Sequence, residues 1–188
     1  YRLSSEDQIE VSIGECTSQI VALQSNKVAL ERELAQAGSL RRLLFEQGKP
    51  LEFAIIEALR LFGFESKELQ DGESQFDAVL ISPEGRCIGE AEGKDSKAVN
   101  IDKFSQLERN LGEDYAREEV TEYAKGVLFG NAFRLVPLPD RGNFFTEKCL
   151  SAARRVKAAL VRTPDLFEPA KYLKENPHEE DFKKQCRQ

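Results

Sequence analysis

The stretch from residue 75 to residue 94 constrains the fold most, because its pattern has a period of two. Gln75-Phe76-Asp77-Ala78-Val79-Leu80-Ile81 runs into the turn sequence Ser82-Pro83-Glu84-Gly85. The chain returns through Arg86-Cys87-Ile88-Gly89-Glu90-Ala91-Glu92-Gly93-Lys94. Two apolar runs separated by a Pro- and Gly-containing tip mark a β-hairpin. A strand sends alternate side chains to one face, so Glu90, Glu92 and Lys94 point the same way. Asp77 sits in an apolar setting, where a carboxylate is expensive to bury without a partner. A loop centred between Glu84 and Gly85 pairs residues whose numbers sum to 169, which puts Asp77 opposite Glu92. Cβ atoms of directly opposed residues stand about 5 Å apart. Two carboxylates that close repel, and a cation between them relieves the conflict. Mg²⁺ is the natural choice because it takes hard oxygen ligands. Lys94 would stand beside it, placed to orient or deprotonate a water or to stabilise charge on a phosphate. A Pro-Glu-Gly loop with a bulge would instead give a sum of 168 and turn Glu92 to the other face. A solvated hairpin with a charged wet face is the plainer alternative.

The surrounding sequence supplies the rest of a domain. Leu51, Ile55, Ala58, Leu59 and Phe62 have helical spacing, with Pro50 placed for a first turn and Gly63 for a C-terminal cap. Phe64 to Leu69 is expected as a short edge strand and Asp71-Gly72 as a turn. Residues 101 to 123 read as a long acidic helix. Lys125 to Gly130, with Val127-Leu128-Phe129 in a row, reads as a strand buried on both faces. A helix over Thr146 to Lys157, a strand over Ala158 to Val161 and a closing helix over Pro164 to Leu173 follow. The order predicts an α/β fold with a mixed central sheet flanked by helices. The domain spans 47–175, and 176–188 is a polar, frayed tail.

Residues 5 to 46 obey a different period. Ile9, Ile13, Cys16, Ile20, Leu23, Leu30, Leu34, Ala37 and Leu44 alternate by four and three, with Lys27 and Arg41 in the gaps. This is a heptad seam, which predicts a coiled-coil helix over 1–46 that pairs two chains into a homodimer. Packing along its own domain is the alternative. Gly14 and Gly38 each weaken the helix by about 1 kcal/mol relative to alanine.

Composition narrows the chemistry. The single histidine, His178, lies in the charged tail, which leaves little room for Ser-His or Cys-His catalysis. The four cysteines lack metal-ligand spacing and read as reduced thiols of a cytoplasmic protein. No apolar run reaches the ~18 residues of a membrane span. Tyr1 is not an initiator and methionine is absent, so the chain is expected to be a piece of a longer protein. The net charge of −6 disfavours nucleic acid, but it is segregated. Residues 125 to 174 hold ten Lys/Arg against four Asp/Glu, and residues 1 to 124 hold 14 against 25. A basic face beside an acidic site is therefore permitted.

Asp77 followed by Glu92-Gly93-Lys94 resembles the D…(D/E)-x-K core of the PD-(D/E)XK, restriction-endonuclease-like nucleases. Glu52, in a helix with Leu51, Ile55, Leu59 and Gly63-Phe64, is similar to the acidic residue on the first helix of the Mrr and archaeal Holliday-junction-resolvase branch. Gln106, in Phe104-Ser105-Gln106-Leu107, resembles the glutamine that many members place on the helix after the third strand. The proline that names the motif is absent, with Phe76 before Asp77. The resemblance implies a metal-dependent endonuclease cleaving nucleic acid, DNA in the first place, with Mg²⁺ or Mn²⁺. Asp77, Glu92 and Glu52 would be the metal residues, Lys94 the residue positioning water and phosphate, and Gln106 an orienting group. The rival expectation is a catalytically inactive module that keeps the fold for nucleic-acid binding or for assembly through the coiled coil. Glu57, Glu90, Arg154, Arg155 and Lys157 are weaker candidates, each as easily a solvated residue. Gly130-Asn131 reads as a turn.

Overall fold

A computed structural model of the chain describes residues 3–68, 78–118 and 120–188. It divides into two units, Tyr1–Ser39 and Leu40–Gln188.

The first unit is one helix, α1 (Ser4–Ala37). Glu6 and Asp7 occupy its first turn, where negative charge meets the helix dipole favourably. None of its residues is buried, and Ile9, Ile13, Ile20, Leu23, Leu30 and Leu34 all face solvent. The helix stops at Gly38 rather than running to residue 46. The last two heptad positions therefore leave the seam. Ser39–Arg41 is a 3-10 turn and α2 (Arg42–Phe45) follows, with Leu40, Leu43 and Leu44 buried in the second unit.

The second unit is a mixed α/β sheet flanked by helices. After α3 (Gly48–Leu61) come strands β1 (Glu65–Glu68), β2 (Ala78–Ser82) and β3 (Gly85–Gly93). Next are α4 (Ile101–Tyr115), β4 (Lys125–Asn131), α5 (Glu147–Val156) and β5 (Ala159–Arg162). Two helices close the chain, α6 (Phe167–Glu175) and α7 (Glu180–Arg187). The strands lie in the order β1-β2-β3-β4-β5. The first three are antiparallel, and β4 and β5 are parallel to β3.

Alternation along the strands assigns the two faces. Leu80, Ala91 and Phe129 pack with Leu43, Leu51, Ile55, Leu59 and Leu173, that is, under α2, α3 and α6. Ile88 and Leu128 point the other way, onto Phe104, Leu107 and Leu111 of α4 and Cys149 of α5. β4 is covered on both faces, which is why Val127-Leu128-Phe129 at its centre run without a polar break.

Three elements depart from expectation. α4 ends at Tyr115, eight residues before 123, because its last turn is pinned. The Arg86 guanidinium donates to both oxygens of the buried Asp114 at 2.5 Å each, and Tyr115 meets Tyr123 edge-on. The closing helix begins later than Pro164, since Thr163–Leu166 forms a 3-10 turn first. The polar tail is ordered as α7, and Arg187 docks it by donating to Glu84 at 2.7 and 3.0 Å and to the Phe62 carbonyl at 2.8 Å. Among the described residues, no helix is long and apolar enough to cross a membrane.

Candidate active site

The site forms where β3 emerges from between its two neighbours. Ile88, Glu90 and Glu92 alternate on the face that α4 covers, and Lys94 follows at the strand's end. Ile88 and Glu90 are fully buried, while the Glu92 and Lys94 side chains are 15% and 26% exposed. The strand thus carries a gradient from closed core to open edge, and the charged groups sit across that boundary.

Lys94 and Glu92 form a close ion pair through Oε1 of the glutamate. The other oxygen, Oε2, faces Lys103 of α4 at 3.7 Å, and the same ammonium lies 3.6 Å from Glu90 Oε2. Lys103 also donates to Gln106 Oε1 at 3.0 Å. Asn110 Nδ2 donates to Glu90 Oε1 at 2.6 Å. Lys103, Gln106 and Asn110 are three and four residues apart, so one face of α4 presents all three to β3. Asn100 caps this helix, its side chain accepting from Asp102 N. Glu52, on α3, joins electrostatically. Burial pushes its carboxyl above the ordinary value, and the charges of Lys103 and then Lys49 pull it part of the way back.

The backbone around Lys94 is tightly held. Its N–H donates to the Asn131 carbonyl and its own carbonyl accepts from Arg134 N, each at 2.9 Å. The buried Asn131 side chain donates to the Glu46 carbonyl at 2.8 Å and accepts from Arg141 at 2.9 Å. Arg141 reaches on to the Leu44 carbonyl at 2.7 Å. Arg134 bridges Asp95 and the Phe45 carbonyl. These bonds draw the α2–α3 junction against β3, and Gly93 is the contact point. A Cβ there would stand 2.8 Å from Gln47 Cα, so only glycine fits between Glu92 and Lys94.

Of the expected site residues, Glu92 and Lys94 meet directly. Gln106 reaches them through Lys103, and Glu52 lies within the field of Lys103. Asp77 lies outside the described residues. The described hairpin turns on Pro83-Glu84, so its paired residues sum to 167, as in Ser82 with Gly85 and Ala78 with Gly89, rather than 169. A two-residue shift keeps parity, and Glu90, Glu92 and Lys94 do share a face. Glu90, open in the sequence between a site residue and a solvated one, is buried. Glu57 pairs with Lys174 at 2.9 Å and serves α3–α6 packing.

Sequence reasoning missed Lys103, Asn110 and Asn131. The first two stand one helical turn either side of Gln106, a spacing that would have found them. Asn131, read as a turn residue, left no such signal. Of the cationic segment, Arg134 and Arg141 turn inward to protein partners and Arg162 pairs with Asp165 at the surface, whereas Lys148, Arg154, Arg155 and Lys157 stand exposed on or beside α5.

Among the described residues, no three His, Cys, Asp or Glu side chains gather at metal-binding spacing. The donor chemistry nevertheless suits a hard cation: Glu90 and Glu92 already hold a positive charge, the Lys103 ammonium, between them.

No model of a known protein family matches the chain, and no curated protein matches it. Among solved structures it is similar to the crystal structure of a repair endonuclease from Pyrococcus abyssi, with 20% identity and a TM-score of 0.38. The match covers 57% of this chain and 42% of that one, a likeness too loose to bear on activity.

Proposed function

We propose that this chain is a divalent-metal-dependent nuclease hydrolysing nucleic-acid phosphodiesters, with DNA as its substrate, acting in the cytoplasm. The observation that carries the reading is the pairing of Glu92 with an ammonium on each side, Lys94 and Lys103, where a strand buried along its middle reaches solvent again. Such charge density at a domain surface has little structural use, since an apolar edge would cost less to fold. It suits a site that meets a metal ion and a phosphate. The resemblance of Asp77, Glu92-Gly93-Lys94, Glu52 and Gln106 to the PD-(D/E)XK nucleases supports the same reading.

In this proposal Asp77, Glu92 and Glu52 provide the oxygen ligands, with Glu90 behind them. A bound Mg²⁺ or Mn²⁺ would supply Lewis-acid polarisation of a phosphoryl oxygen and a more acidic water. Lys94 is tied by its backbone to β4's end and by its side chain to Glu92. It therefore presents its ammonium at a fixed place, where it orients water or stabilises phosphate charge. Gln106 steadies Lys103. The exposed cations of α5 contact flanking phosphates. The unpartnered apolar stripe of α1 pairs two chains and so brings two sites to one duplex.

The test incubates supercoiled plasmid and single-stranded DNA with the protein in Mg²⁺, in Mn²⁺ and in EDTA, beside Lys94→Ala. Cleavage that needs metal and vanishes in Lys94→Ala is the expected result. DNA binding without cleavage under every condition would favour the inactive-module reading instead.

A further inference from the structure

Lys103 belongs to no motif in the sequence, yet it is the group on which the site converges. Its ammonium lies 3.6 Å from Glu90 Oε2 and 3.7 Å from Glu92 Oε2, and Gln106 Oε1 accepts from it at 3.0 Å. Its charge also acts on Glu52. The helix beneath it is packed by Phe104 and Leu107, both fully buried, so the stem of Lys103 starts from a fixed point. Lys94 takes the opposite oxygen of Glu92. Glu92 is thus neutralised from both sides by two ammoniums of different origin, one from its own strand and one from α4.

We infer that Lys103 is a built-in counter-ion of the Glu90–Glu92 pair, a positioning residue that competes with a divalent cation for the same place and thereby sets the site's metal affinity. The inference rests on the metal-dependent reading above. An ion bound to Glu92, with Glu90 behind it, must crowd the space that the ammonium holds, because Mg²⁺ approaches carboxylate oxygens to about 2.1 Å and repels a neighbouring cation. Lysine suits the role. Its charge sits on a flexible four-carbon stem, and three rotatable donors let it leave one partner and take another. At 22% exposure, its side chain has an open side to swing toward. The displaced ammonium then meets the next available anion, a phosphate of the nucleic acid. Without metal, Lys103 keeps two neighbouring carboxylates from repelling each other and holds the site folded. With metal, it becomes a phosphate contact. Metal and nucleic acid are thereby coupled, each favouring the state that receives the other.

The experiment is calorimetric titration of Mn²⁺ into the full chain without nucleic acid, for the parent, Lys103→Gln, Lys103→Arg and Glu92→Gln. Lys103→Gln removes the competitor and is expected to bind Mn²⁺ about tenfold more tightly than the parent. Lys103→Arg retains the charge and should stay close to the parent, while Glu92→Gln should lose binding. DNA affinity in Ca²⁺ should fall in Lys103→Gln and be kept in Lys103→Arg. Circular dichroism melts establish that each variant is folded, and Lys103→Met replaces Lys103→Gln if the latter is not. Equal or weaker Mn²⁺ binding by the neutral variants, with a parent that binds, overturns the counter-ion role and leaves the metal reading standing. No Mn²⁺ binding by parent or neutral variants overturns both.

Discussion

Asn110 on α4 and Glu90 on β3 are joined by a 2.6 Å hydrogen bond, Nδ2 donating to Oε1, between a helix and a sheet that exclude water from both residues. The bond is charge-assisted, and the buried carboxylate depends on it for part of its solvation. Asn110→Leu keeps the bulk and removes the donor. It should cost about 1.5–3 kcal/mol of stability, the range for hydrogen bonds to charged groups. Urea denaturation of the two proteins measures it. Glu90→Gln added to Asn110→Leu should return part of the loss, because the charge left under-solvated is gone; a double variant no steadier than Asn110→Leu would contradict this.

Gly93 makes the second prediction, with Gly112 as its control. A Cβ at 93 collides with the Gln47 backbone, whereas one at 112, on the outer face of α4, meets nothing within 4 Å. Gly93→Ala should therefore destabilise by about 1–3 kcal/mol, as overpacking does. It should also weaken Mn²⁺ binding, because Glu92 and Lys94 flank the strained residue. Gly112→Ala should stabilise by up to about 1 kcal/mol through helix propensity. Equal effects at the two positions would show that the α2–α3 junction yields.

The order of elements in the second unit was legible because it rests on local signals. Turn residues at 82–85, a period of two in β3 and an unbroken apolar run in β4 are each settled within a few residues. What depends on distant partners was not legible. The register of the hairpin missed by two because Pro83-Glu84 and Glu84-Gly85 are both plausible loop centres, whereas the shared face of Glu90, Glu92 and Lys94 needs only the alternation along β3. The heptad count overran at Gly38 because Leu44, a seam position, fits a coil and a core equally well. α7 was invisible, since a single arginine and the glutamate of a remote turn decide whether a polar segment docks. In the site, Glu92, Lys94, Gln106 and Glu52 could be named from the sequence. Lys103 and Asn110 share the helical face of Gln106, a spacing that was there to be read.

Docking of α7 gives a pH prediction. The Arg187 guanidinium, donating to Glu84, lowers that carboxyl from 4.5 to about 2. A carboxyl with a depressed folded-state pKa contributes stability that is fully present above its unfolded value and is lost as pH falls toward the folded one. The window is thus from pH 4.5 down to about 2. Glu180, lowered by Lys183, acts in the same direction. Arg187→Gln should melt at a lower temperature near neutrality and show a shallower further decline across this window. Thermal melts at stepped pH check it, and parallel curves for the two proteins would mean that the pair contributes nothing to acid sensitivity.

The last prediction concerns how two copies of α1 would meet. With Ile9 at a d position, the a positions are Ile13, Ile20, Lys27 and Leu34, and the d positions are Ile9, Cys16, Leu23, Leu30 and Ala37. β-Branched residues at a with leucine at d favour a parallel two-stranded coil, and a single polar residue at a, here Lys27, fixes register at some cost in stability. In a parallel, in-register pair every d residue faces its own counterpart, so Cys16 meets Cys16. This thiol is exposed, whereas Cys149 is buried and Cys87 and Cys186 are partly so. Mild oxidation with diamide, which takes up the two electrons and two protons released by the thiols, should therefore convert the chain into a disulfide-linked dimer on a non-reducing gel. Cys16→Ser should remain uncrosslinked yet dimeric by light scattering. An antiparallel coil would set the two thiols at different layers, giving a dimer in solution that diamide fails to link. A monomeric chain at tens of micromolar would remove the coil altogether. Lys27→Ile should steady the dimer and loosen its register, so that the Cys16 crosslink forms less completely while the melting temperature rises.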